Sequence, residues 1–121
     1  MRELRIVITT ADAERLHGAL VLAAAQTALG GRASVFLQLN AVALLREPIA
    51  APQDEAHRAA GLPTLAVLVE EALGLGVSII ACQSGLALAG LTVTQLPDGA
   101  EVSGPVGFLQ QTDDSARLIF A

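Results

Sequence analysis

LRIVIT, residues 4–9, is a nearly continuous run of β-branched and apolar side chains with few polar breaks. Such a run predicts a strand covered on both faces, as in parallel sheets. Thr10 is placed to cap the segment that follows. Asp12 and Glu14 then fall in a first helical turn, where acids suit the helix dipole. The helix is expected to run to about Leu29 and to stop at Gly30-Gly31. Leu16, Leu20, Ala23, Ala24 and Thr27 mark one face, while Val21, Leu22, Ala25 and Leu29 fall largely outside it. A helix apolar nearly all round is expected to be buried on more than one side.

ASVFLQL, residues 33–39, reads as a second strand. Asn40 is placed to cap a short helix, AVALLRE, which Pro48 ends. Residues 47–63 carry Pro48, Pro52, Gly61 and Pro63 and predict a long connection, with one short helix from Pro52 to Ala60. A helix opening at Pro63 or Thr64 runs through Leu73 to Gly74 and Gly76, and VSIIA is the third strand. Residues 84–90 predict a short helix, and VTQL a brief extended piece. Pro97-Asp98-Gly99 is a turn. Val102 and Ser103 predict a short fourth strand, Pro105 a further helix start, and Arg117–Phe120 the last strand.

Strands alternating with helices predict α/β, a three-layer α/β/α domain with a mainly parallel four- to five-stranded sheet. A length of 121 residues suits one domain, and 53% hydrophobic residues supply its core. No apolar run approaches the ~20 residues that cross a bilayer. Glu3 interrupts the N-terminus, which has no signal-peptide shape. The expectation is a cytoplasmic protein without a membrane partner. One cysteine cannot close an internal disulfide, which agrees with a reducing compartment.

Charge and motifs narrow the chemistry. The net charge is −5, all seven basic residues are Arg, and Trp and Tyr are absent. An acidic chain with three Phe as its only aromatic rings is a poor nucleic-acid binder. Without Lys there is no Schiff base and no P-loop. No G-x-G-x-x-G follows a strand, and no C-x-x-C is present. A C-x5-R phosphatase loop would need Arg where Leu88 stands. One Cys and two distant His make a poor metal site, so no metal is expected. His17 and His57 lie near acids and are expected to be solvated helix residues.

What remains is the stretch IIACQSGLALAGL, residues 79–91. Cys82 follows the third strand directly. In open α/β sheets, ligands gather at the carboxyl ends of strands. The next helix begins near Gln83 or Ser84, which brings unpaired N–H groups and the positive helix end beside the sulfur. That is a setting in which thiols act as nucleophiles. The plainer reading is a small buried residue. Gln83 and Ser84 are candidates to hold a sulfur adduct, or simply to cap the helix. Gly85 and Gly90 are read as permitting close packing.

The whole chain resembles the DsrE/DsrF-like family of small sulfur-relay proteins. The likeness runs from LRIVITT and ADAERLHGALVLAAAQTALG through ASVFLQLNAVALLRE and LVEEALGLGVSIIACQSGLALAGL to LPDGAEVSGPVGFLQQ and RLIF. Its most specific piece is A-C-Q-S-G-L-x-L-x-G-L. Many members place Ser or Thr and then Met shortly after the cysteine, whereas Ser84, Gly85 and Leu86 stand here. The resemblance implies one DsrE/DsrF-like domain over residues 1–121 and a cysteine that carries sulfur as a persulfide. It also implies a homo-oligomer, a trimer or hexamer. Such a sulfurtransferase component needs no cofactor, because sulfur passes by thiol–persulfide exchange with donor and acceptor proteins. The alternative is a non-catalytic oligomeric subunit or small-ligand binder, in which Cys82 only packs.

Overall fold

A computed structural model describes all 121 residues. The strands are β1 (Leu4–Ile8), β2 (Ala33–Leu37), β3 (Ser78–Cys82), β4 (Glu101–Ser103) and β5 (Arg117–Phe120). They form one all-parallel sheet in the order β4-β3-β2-β1-β5. The helices are α1 (Ala13–Ala28), α2 (Asp54–Ala59), α3 (Leu65–Gly74), α4 (Gln83–Ala89) and α5 (Pro105–Gln110). This is the expected three-layer α/β/α arrangement, with all five strands in register as parallel neighbours.

The chain winds from β1 outward to β4 and then returns across the sheet to place β5 on the far side of β1. Right-handed crossovers therefore put the early helices on one face and α5 on the other. Strand alternation sorts the side chains to match. Leu4, Ile6 and Ile8, with Val35, Leu37, Ile79 and Ala81, join α1 and α3 in the main core. Val7, Phe36, Ile80 and Cys82 face the other way, where Phe108 of α5 completes a cluster of five. The second layer is thus a single short helix. The polar half of that face carries Arg5 and Ser34, adjacent in the β1–β2 register and both buried.

Several local expectations are corrected. Asp12, not Thr10, caps α1, accepting hydrogen bonds from the amides of Glu14 and Arg15. Its short carboxylate reaches both donors of the first turn. α1 buries only one stripe: Val21 and Leu22 each remain 49% exposed in the single chain. Residues 39–45 form a 3-10 helix without a side-chain cap from Asn40, and Leu39 sits at φ 53°. Val93–Gln95 is another 3-10 turn instead of an extended piece, closed by a Thr92–Gln95 capping box.

The histidines are not separately solvated. His17 is buried and stacks on His57 with ring centroids 4.0 Å apart. His17 Nε2 donates to the Pro63 carbonyl at 3.1 Å, and His57 Nε2 to the Glu14 carboxylate at 2.6 Å. These contacts fasten the 47–63 connection to α1. Asp54 fastens it to α3, accepting from the amides of Leu65 and Ala51.

Candidate functional site

Cys82 ends β3 at the carboxyl edge of the sheet and is also the N-cap of α4. Its backbone is extended, at φ −71° and ψ 134°, so the chain turns from strand to helix at the thiol itself. The junction is held tightly. A Cβ on Gly85 would collide with Val42 Cγ2 and stand 2.9 Å from the Leu39 carbonyl oxygen. Only glycine lets the first turn of α4 lie this close to the 39–45 segment, so the backbone beneath the sulfur is fixed by packing. Gly90 serves differently, closing α4 in the left-handed conformation at φ 66°.

Ser84 Oγ lies 3.2 Å from Cys82 Sγ, and the two are hydrogen-bonded. Ser84 is therefore brought to the sulfur by its side chain as well as by its position. Gln83 is exposed, and its Oε1 sits 3.7 Å from where a Cβ on Gly104 would stand, at the start of α5. Ser103 is the register partner of Cys82 on β4. The strand–helix junctions after β3 and β4 thus meet at one corner of the sheet.

The thiol itself is covered. Cys82 is 1% exposed and packs in the cluster with Val7, Phe36, Ile80 and Phe108. Two residues that matter here are not candidates in the sequence reading. Phe108 stacks on Phe36 at 4.4 Å, with the planes 12° apart. Arg5 lays its guanidinium 4.1 Å from the centre of the Phe108 ring and donates to the Phe108 carbonyl at 3.1 Å. Its only ionic partner is Glu3, at 3.4 Å, and its Nε has no partner. The signal for Arg5 is its place in the strand: a charge alternating with Val7 marks the thinly covered face.

Beside Phe108, between α5 and β5, lies an apolar cavity of about 150 Å³ lined by Val7, Phe36, Leu109, Leu118 and Phe120 among others. No place in the chain gathers three His, Cys, Asp or Glu side chains in a way that could hold a metal ion. No helix is long and apolar enough to cross a membrane.

No family model and no curated protein matches the chain. Solved structures match over its full length. MTH1491 from Methanobacterium thermoautotrophicum, a protein of unknown function, superposes with a TM-score of 0.74 at 20% identity, covering 100% of both chains. The ychN protein from E. coli gives 0.77 at 22% identity, again over 100% of both chains. BT1422 from Bacteroides thetaiotaomicron, also of unknown function, gives 0.70 at 18% identity over 98% of this chain and 94% of its own. At these identities the likeness establishes the shared fold and leaves the reaction to be argued from Cys82 and its surroundings.

Proposed function

We propose that this protein is a DsrE/DsrF-like sulfur carrier that holds sulfane sulfur as a persulfide on Cys82, a sulfurtransferase component working in the cytoplasm. One observation carries the reading: the only thiol stands at the carboxyl end of a parallel strand, at the start of a helix, hydrogen-bonded to Ser84. Open α/β sheets bind ligands at that edge. A hydroxyl beside the sulfur is suited to donate to a persulfide and hold its orientation. The chain has no second cysteine, so the thiol that receives the sulfur belongs to a partner protein. The exchange needs no cofactor.

The same reading includes assembly into a homo-oligomer, trimer or hexamer. Its support is apolar surface left uncovered on a small domain: Val21 and Leu22 on α1, and Leu118 and Phe120 on β5.

The test is mass spectrometry of the native protein after exposure to inorganic polysulfide. The expected result is the addition of sulfur to wild type, reversed by dithiothreitol and absent from Cys82→Ser. Absence of any adduct on the native wild type favours a second reading, in which Cys82 is a packing residue of a non-catalytic subunit or small-ligand binder. The observation on that side is the burial of the thiol among Val7, Phe36, Ile80 and Phe108.

A further inference from the structure

We propose that α5 is a latch over Cys82, closed by Phe108 and held by Arg5, and that its opening controls access to the thiol. The proposal rests on the persulfide reading and concerns how that site is reached.

α5 is built to be loosely attached. It has six residues, and Phe108 is its one buried side chain, while Val106 and Leu109 are exposed. Segments with so little buried surface open locally at a small fraction of the cost of global unfolding. The attachment is also unusual in kind. Arg5 is 3% exposed and grips Phe108 twice, through the ring and through the carbonyl.

Opening has somewhere to lead. The cavity between α5 and β5 shares Val7, Phe36 and Phe108 with the cluster that covers Cys82. It lies on the second face beside β1 and β5, where the strand order reverses and the connections diverge to opposite faces. That reversal is the usual place for a ligand crevice in a sheet of this kind. Displacing the Phe108 ring joins the cavity to the thiol. The cavity is lined mainly by apolar side chains, and the donor it suits is a small persulfide. The Cys82 thiol first gives its proton to solvent. The thiolate then attacks the outer sulfur of R–S–SH and forms a new S–S bond. The donor S–S bond breaks and its electron pair leaves on the inner sulfur as RS−. The outer sulfur and its proton stay on Cys82, so no outside oxidant or reductant is needed.

The experiment is native alkylation of Cys82 by iodoacetamide at urea concentrations well below the unfolding transition. The latch predicts slow labelling of wild type at a rate that urea barely changes, because a local opening exposes little new surface. Phe108→Ala should label on the order of 100-fold faster and Phe108→Leu less so. Arg5→Gln, which leaves the ring in place, should label roughly tenfold faster. If Phe108→Ala does not fold, Phe108→Leu and Arg5→Gln decide the matter. Labelling that rises steeply with urea in parallel with global unfolding overturns the latch, as do variants that label at the wild-type rate. Sulfur loading from polysulfide is measured on the same variants. Fast labelling without sulfur uptake sinks the persulfide reading and supports the latch; uptake with unchanged labelling rates does the reverse.

Discussion

Phe36 and Phe108 stack at 4.4 Å across the gap between β2 and α5, and this pair is the main apolar tie between the sheet and its second layer. The first face has α1, α3 and most of the core. The second has one side chain reaching down from a six-residue helix. Cys82 lies on the weaker side, in the same small cluster as Phe108.

Gly85→Ala should destabilise the protein by about 1–3 kcal/mol, because its Cβ collides with Val42 and with the Leu39 carbonyl, which is backbone and cannot swing away. Gly18→Ala makes the contrast. Gly18 lies inside α1 with nothing within 4 Å of a new Cβ, and alanine there should stabilise by roughly 0.5–1 kcal/mol. Urea denaturation of the two variants beside wild type measures both. Equal effects would mean that α4 is not held where the 39–45 segment places it.

Much of this was legible in the sequence, and the parts that were not share a cause. The strands carry strong apolar runs, so their positions, the parallel sheet and the placement of Cys82 at its carboxyl edge followed from local pattern. The asymmetry of the two faces did not. LRIVI reads as covered on both sides, and only the Arg5–Val7 alternation, together with Ser34–Phe36 next to it, marks the thin one. Cys82 is buried in one cluster with Phe108, 26 residues later (108 − 82), which no local pattern connects to it. His17 and His57 depart from the expectation for the same reason: each looks like an exposed helix position until the 47–63 connection folds back on α1. The cap of α1 was a closer matter, since Thr10 and Asp12 are both good capping residues and only the turn geometry selects Asp12.

Asp54 should make the docking of the 47–63 connection sensitive to acid. The Leu65 amide first, and then the Ala51 amide, hold its carboxyl below its ordinary value of 3.8. A depressed carboxyl contributes stability that is fully present above the unfolded value. That stability is lost as pH falls through it toward the folded one, here below about pH 4. Asp54→Ala, which leaves both amides without the carboxylate, should cost about 1 kcal/mol at pH 7 and less at pH 3. Denaturant midpoints at the two pH values check this. A cost that does not shrink on acidification would show that the carboxylate is not what matters there.

Assembly through the exposed edge of the sheet should depend on β5. Phe120 is 70% exposed at the end of β5, next to the cavity beside α5. Phe120→Asp places a charge where an apolar contact would form and should shift the protein to monomer in sedimentation equilibrium, with the fold retained by circular dichroism. Val21→Glu, on α1, tests the other uncovered surface. Wild type sedimenting as a monomer at micromolar concentration would refute the oligomer itself.

Replacing the sulfur separates its chemical role from its packing role. Cys82 is buried, so Cys82→Ser moves a hydroxyl into an apolar cluster and should cost roughly 1–2 kcal/mol, moderated by the one polar neighbour, Ser84 Oγ. Ser84→Ala alone removes that neighbour. The double variant, which leaves the new hydroxyl without a partner, should then lose more stability than the two single changes added together. Both Cys82→Ser and Cys82→Ala abolish sulfur uptake on the persulfide reading, whereas Ser84→Ala should slow uptake without abolishing it, since the thiol that forms the S–S bond is still present. Denaturation midpoints and polysulfide loading, measured on all four variants, carry the comparison. Loading that survives in Cys82→Ala would place the sulfur elsewhere and remove the basis for the proposed function.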